Sequence, residues 1–396
     1  MAGRRLLKGA TIAVCATSVV AAGLWHAASA QKIPDPSAAA ASGIAWTGTW
    51  AASPQSGGAS FGRQTLRQIV HTSISGAAAR VQLSNAFGSA PVTIADVHLA
   101  RRTSGSSVDT NTDRPVTFGG STSVTIPAGA KAVSDDVAFP VTALSDVAVS
   151  FYLPQQVADA TQHQLAEQTN FIAGGDVAGN ATLPGAQTNG SYTFLANLDV
   201  QNSSAEGAVA TLGASITDGI ASAGDANRRW PNDLAARLNQ AGRTIGVLNQ
   251  GISGNALLHD GAGQSAVTRF TRDVLQQPNV KWVIFADDPI NDVNNGNPPS
   301  AGQLTAALTQ MIDAAHRAGI SFLCATLTRS NPTTAGPRPA RTAATATTPS
   351  YAAPAAAATA SSTSTPPPTT RRTRSSTCRP STAATTYTPT PPDCRR

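Results

Sequence analysis

Three short stretches of this 396-residue chain carry side chains and backbone shapes suited to acyl transfer. The first is Gly213-Ala214-Ser215-Ile216-Thr217-Asp218-Gly219, directly after the apolar run Val209-Ala210-Thr211-Leu212. A serine in a glycine-flanked strand-to-helix turn presents its hydroxyl outward and leaves its own amide available to hold an oxyanion. The second is Asn249-Gln250-Gly251-Ile252-Ser253-Gly254-Asn255, and the third is Pro289-Ile290-Asn291-Asp292. Each stretch alone is a weak signal, because serine, glycine and asparagine also serve turns and helix caps. Their placement after three successive apolar runs is the informative feature. In an open parallel sheet, ligands bind at the carboxyl ends of the strands.

The elements that must position these loops follow from periodicity. Apolar runs at Val209–Leu212, Ile245–Asn249, Val280–Ala286 and Ile320–Leu327 read as buried strands. Between them, helical spacing covers Trp230–Ala241, with Pro231 suited to a first turn, then Ser265–Gln277 and Ala301–Ala318, closed by Gly319. Strands alternating with helices predict a parallel α/β sheet covered on both faces. Upstream, Val70–Ile74, Ala79–Leu83, Val92–Leu99 and Val147–Leu153 are β runs, period two where they alternate, with Gly, Pro, Asn and Ser between them. They predict an N-terminal β-sandwich or jelly roll.

The quoted motifs, together with Trp46-Thr47-Gly48-Thr49-Trp50, Trp230-Pro231 and Leu257-Leu258-His259-Asp260-Gly261, resemble the secreted actinobacterial SGNH/GDSL hydrolases over about residues 45–328. That resemblance implies a flavodoxin-like α/β fold and a serine esterase or lipase. It makes Ser215 the nucleophile, and the Ser215 amide, the Gly254 amide and the Asn291 side chain the oxyanion donors. It implies no cofactor. The chain departs from the family pattern at three places. Ala214 stands where Gly-Asp-Ser is usual, and Pro289 stands where Gly-x-Asn-Asp is usual. A late Asp-x-x-His, the family's source of the base, is missing, since His316 is the last histidine and Asp393 the only acid after Asp313. Pro289 fixes its own φ and removes an amide, which puts the placement of Asn291 in question.

The remaining titratable groups read as structural. Of the histidines, His259 alone follows a site loop, where it packs or lines the rim; His316 falls on a solvated helix face, and His71 and His98 lie in the β-rich half. Asp287 and Asp288 precede Pro289 in an extended segment and so face opposite ways. Asp218 and Asp225 read as helix N-caps. No His-x-x-x-His or cysteine pair at ligand spacing suggests a metal.

The ends of the chain differ from its middle. Arg4, Arg5 and Lys8 precede an apolar stretch from about Ala10 to Trp25 and a small-x-small sequence, Ala28-Ser29-Ala30. This predicts a cleaved signal peptide at 1–30, a linker at 31–44, export, and no stable membrane insertion afterwards. From Arg329 onward there are nine arginines and one acid, and no Leu, Ile, Val, Phe, Met or Trp. The tail 329–396 is therefore predicted disordered. Its start directly after a core strand favours a reading frame lost near residue 328 over a glycosylated stalk. These two ends account for more than the whole net charge of +6, so residues 31–328 are acidic and nucleic acid is not the expected partner. Cys324 lies in an apolar run and reads as a buried thiol.

The domain plan is thus a β-sandwich at 45–205 and an incomplete hydrolase domain at 206–328, ending after its fourth strand. The expected partner is a small-molecule, lipid or polysaccharide ester, and the sequence is silent on oligomeric state. The competing reading is a non-catalytic binder of glycan or cell wall.

Overall fold

The computed structural model describes residues 45–326. The expected signal segment, the linker up to residue 44 and the 329–396 tail lie outside the described residues. Among those described, no helix is long and apolar enough to cross a membrane.

The β-rich region is built from antiparallel strands. One sheet orders Trp46–Ala51, Leu195–Gln201, Ala78–Ser84 and Lys131–Val133. A larger one runs through Gln187–Asn189, Asn170–Gly174, Gln64–His71, Asp146–Leu153 and Val92–Ser104. Both contribute to one apolar core, with Val81, Leu83 and Leu198 from the first and Val70, Leu99, Val149 and Phe151 from the second. The alternation read at Val92–Leu99 is interrupted at Asp96 (φ +48°), which shifts the buried positions from Val92 and Ile94 to Val97 and Leu99.

The α/β part is a four-stranded parallel sheet in the order Ile245–Gly251, Gly207–Gly213, Val280–Phe285, Ser321–Cys324. This order places a topological switch beside the 207–213 strand, where crossovers leave in opposite directions and a crevice opens at the carboxyl ends. Helix Trp230–Gln240 covers one face, through Ala235 against Val209 and Val247. The other face carries Ala266–Phe270, its π-helical continuation Thr271–Leu275, and Ala301–Arg317. There Phe270, Val274, Leu304 and Met311 pack on Ala210, Leu212 and Val283. The 301–317 helix begins with a capping box between Ser300 and Gln303.

Two expectations are corrected here. Among the described residues the fourth strand is Ser321–Cys324 and lies at one edge of the sheet. Cys324 is consequently exposed, not buried, because no further described strand flanks it. Pro289 does not disrupt its loop. It sits in the first turn of a short helix, Asp288–Val293, where a missing amide costs no hydrogen bond.

The strand Trp46–Ala51 also packs on the α/β sheet. Gly48 faces Leu248, and a Cβ on Gly246 would overlap the Gly48 carbonyl oxygen. The Gly48 amide donates to the Pro278 carbonyl (3.3 Å), and the Val247 amide donates to the Ser73 hydroxyl (2.9 Å). Gly246 thus lets the Gly48 backbone come close, and Gly48 leaves room for the Leu248 side chain. Gly246→Ala is expected to lose about 1–3 kcal/mol of stability through overpacking, measured as a lower denaturation midpoint. An unchanged midpoint would show that the crossing is slack.

Candidate active site

The turn after the 207–213 strand is compressed. A Cβ on Gly213 would overlap the Thr217 hydroxyl and the Asp287 carboxylate. After Ala214, the residues Ser215–Asp218 form one helical turn, closed by Gly219 at φ +109°. The Gly219 and Ile220 amides both donate to the Ser215 carbonyl, at 2.9 and 3.0 Å. Asp287 holds this turn from the neighbouring strand end. Its carboxylate accepts from the Ala214 amide (3.0 Å), the Ile216 amide (2.8 Å) and the Thr217 hydroxyl (2.5 Å). The Ser215 amide lies between the two held amides and has no acceptor among the described residues, and the half-buried Ser215 hydroxyl makes no hydrogen bond there. Ile216 and Ile220, flanking the serine, are 59% and 55% exposed.

The Gly254 loop is tied to the same turn. The Ile252 amide donates to the Gly213 carbonyl (3.0 Å) and the Ser253 amide to the Asp218 carboxylate (2.7 Å). Gly254 adopts φ +81° at the exposed tip, a conformation that favours glycine, and its amide also has no acceptor among the described residues. The third loop docks on the second. Asn291 donates one side-chain N–H to the Asn255 carbonyl (2.6 Å), leaving its second N–H unengaged there. Asp292 accepts from the Leu257 and Leu258 amides at 2.6 and 3.1 Å. Hydrogen bonds therefore link the loops bearing Ser215, Gly254 and Asn291 at one edge of the sheet.

Beneath them lies a fully buried guanidinium, that of Arg269. It donates to the Gly213 carbonyl (3.1 Å), the Gln250 carbonyl (2.6 Å), Asn255 Oδ1 (3.0 Å) and the Ser53 hydroxyl (3.1 Å). Two buried carboxylates share it, Asp273 at 3.3 Å and Asp288 at 3.5 Å. Asp273 has a second cation in Arg272 at 2.6 Å, whereas one Asp288 oxygen has no partner. Burial pushes the Asp288 carboxyl up to about 7; Arg269 opposes this and the nearby Asp287 and Asp292 reinforce it. Asp287 and Asp288 do face different partners, although Asp287 holds the N-cap position of a helix, without a side-chain cap bond, and is not in an extended segment.

Four histidines fall where the sequence reading placed them, and a fifth, His163, was missed. His71 pairs with Asp146 at 2.7 Å, and His98 lies between Asp96 and Asp113, all in the β-rich region. His316 is on the exposed side of its helix, and His259 is exposed after the Gly254 loop. His259 is not alone near the site, because His163 of the β-rich region reaches Asp218 at 3.0 Å. Asp218 is accordingly not an N-cap but the last residue of the serine turn, bound to His163 and Ser253. Asp225 is not one either. It adopts φ +61° and accepts from the Thr169 amide and hydroxyl, at 2.5 and 2.6 Å, and from Gln168.

Residues 211–364 match the model of the GDSL-like Lipase/Acylhydrolase family. That match begins in the α/β part and covers less than half of the chain. No curated protein matches the sequence. Among solved structures, AlinE4, a SGNH-hydrolase family esterase, aligns at 20% identity and TM-score 0.29 over 34% of this chain. The chain spans 66% of AlinE4's length. LAE5, an alpha/beta hydrolase enzyme from the metagenome of Lake Arreo, Spain, aligns at 19% identity and TM-score 0.28, over 36% of this chain and 71% of its own. A family two carbohydrate esterase from Clostridium thermocellum, in complex with cellohexaose, aligns at 11% identity and TM-score 0.26 over 71% of both chains.

Two predictions follow from the held turn and the buried charges beneath it. Asp287→Ala strips the acceptor from two amides and a hydroxyl, and is expected to cost about 2–5 kcal/mol; a denaturant midpoint close to the parent's would refute the clamp. Asp288 keeps a proton in the folded chain that an unfolded carboxylate gives up near pH 4. Stability from this group is therefore complete below about pH 4 and is lost as pH rises through about 7. Denaturant midpoints at pH 5 and pH 8 should differ more for the parent chain than for Asp288→Asn. Equal differences would mean that Asp288 titrates normally.

Proposed function

We propose that the chain is an exported serine ester hydrolase of the GDSL type, with Ser215 as nucleophile. The Ser215 oxygen attacks the ester carbonyl, the alkoxide leaves, and water then cleaves the acyl-serine to release the acid. The Ser215 amide, the Gly254 amide and the unengaged N–H of Asn291 receive the developing oxyanion. Such donors each contribute about 10²–10³ in rate. The observation that carries this reading is a pair of backbone amides without acceptors, one on the serine itself and one on a loop bonded to its turn. The substrate class is a small-molecule, lipid or polysaccharide ester, reached after export through the N-terminal segment.

Proton removal is the weak step in this chain. No described histidine contacts the Ser215 hydroxyl, and residues 317–396 contain none. Serine is a poor nucleophile without a base. Hydrolysis of p-nitrophenyl acetate by the purified chain should therefore be near background, and added imidazole should raise it with saturation in ester. Ser215→Ala should abolish that gain, and mass spectrometry should find the acetyl group on Ser215. An imidazole-dependent gain retained by Ser215→Ala would overturn the nucleophile assignment. Rapid hydrolysis without imidazole would show that the chain supplies its own base.

A further inference from the structure

His163 belongs to the strand Val157–His163 of the β-rich region, yet its partners lie on both sides of the junction. Nδ1 is 3.0 Å from the Ser53 carbonyl oxygen. Nε2 is 3.1 Å from the Leu165 carbonyl oxygen and 3.0 Å from the Asp218 carboxylate. With Asp218 as a carboxylate all three partners are acceptors, so both ring nitrogens carry protons to bond them. That arrangement specifies an imidazolium, and the ring is buried.

We propose that His163 is a positioning residue for the serine site: as a buried imidazolium it fixes Asp218, and Asp218 in turn locks the Ser215 turn to the Gly254 loop. The second link is the Ser253 amide, which donates 2.7 Å to the other oxygen of the same carboxylate. One carboxylate thus spans a cation from the β-rich region and the amide next to Gly254. If the ring loses its Nε2 proton, that nitrogen's lone pair faces the carboxylate, and the Asp218 oxygen becomes a buried acceptor opposite an acceptor. The carboxylate must then turn or take up water, and Ser253 loses its fixed partner.

The charged and titratable groups around the ring support this state. Burial opposes the charge, but the Asp218 carboxylate and the Ser53 carbonyl outweigh it and raise the ring's pKa, with Arg229 working against them. Arg229 is itself held by the Ala166 carbonyl at 2.8 Å and by Asn232 at 2.8 Å. Tyr192 stacks at 6.3 Å, and burial pushes its phenol up to about 12, so it stays neutral beside the ring. Because the folded pKa is raised, the bridge is complete below the ordinary histidine value of about 6.5 and is lost as pH rises through the folded value.

The kinetic consequence rests on Ser215 being the nucleophile; the bridge itself does not, and the test separates the two. In the full chain with ¹⁵N-labelled histidine and serine, the His163 ring nitrogens and the Ser253 amide are followed from pH 5.5 to 9.5, in about half-unit steps. Both ring nitrogens should be protonated at pH 6.5. The Ser253 amide should shift with the same midpoint as the ring. His163→Phe, which keeps a flat ring and removes both donors, should exchange the Ser253 amide about tenfold faster or more, the equivalent of one lost charged hydrogen bond. In imidazole-assisted ester hydrolysis it should lower kcat with little change in KM, and abolish the pH dependence that the parent shows through the ring's titration. A neutral His163 at pH 6.5, or a Ser253 amide that does not follow it, overturns the proposal. Unchanged exchange in His163→Phe overturns it as well. If that variant does not fold, the parent's titration decides. If the ring and Ser253 titrate together while Ser215→Ala retains the imidazole-dependent rate, the bridge stands and the nucleophile assignment falls.

Discussion

One buried guanidinium organises the loop-bearing carboxyl edge of the parallel sheet. Arg269 binds the last residue of one sheet strand, the penultimate residue of its neighbour, the asparagine of the loop that follows, and a serine of the β-rich region. Strand ends leave carbonyl groups that continued pairing would have satisfied, and a buried carbonyl without a donor is costly. A single planar cation with five N–H groups answers several of them together. Its charge then requires carboxylates nearby, and the cluster holds more of these than it can pair well. Asp288 is where that excess appears, as an oxygen without a partner and a carboxyl that keeps its proton to about pH 7.

The β-rich region is therefore more than a neighbour of the α/β part. It supplies Ser53 to the Arg269 cluster and His163 to Asp218, and the Gln168–Thr169 segment to Asp225. Each of these contacts ends on a loop at the carboxyl edge of the sheet or on the helix beneath it. The loops that bear Ser215 and Gly254 are thus restrained from one side by the sheet and from the other by a separate antiparallel layer. Rigid support from two directions suits the proposed oxyanion donors, which would have to meet a reacting carbonyl within a fraction of an ångström.

Much of the α/β frame is legible in the sequence. Its strands are continuous apolar runs and its helices keep a 3.6-residue stripe, and both signals are local. The 265–277 helix was readable as an element, though not its π-helical second half. The site loops are legible because glycine marks turns that other residues resist, as Gly219 and Gly254 do at positive φ. The residues that hold those loops are not, because their partners are far away in the chain. Asp287 meets Ala214 across 73 positions and His163 meets Asp218 across 55. Two clues were nevertheless present. Ala214 offers the turn no carboxylate, so an acceptor had to come from elsewhere. Arg269 and Asp273 fall within the apolar stripe of Ala266, Phe270 and Val274, at the i,i+4 spacing of an ion pair.

The crossing of Gly48 and Gly246 has a consequence for the order of assembly. The strand Trp46–Ala51 emerges from the ribosome about two hundred residues before the strand it finally covers. Its pairing with Leu195–Gln201 can form as soon as the β-rich region is complete. The face toward Leu248 stays bare until the Ile245–Gly251 strand arrives. During synthesis the early layer thus displays a docking strip for a late one, and the contact that joins them is among the most distant in sequence, the kind that slows folding. A crossing in which small residues such as Gly48 and Ala51 face the later strand offers little adhesion to wrong partners in that interval. It rewards the arrival of the strand in which Gly246 admits the Gly48 backbone and Leu248 fills the space beside Gly48.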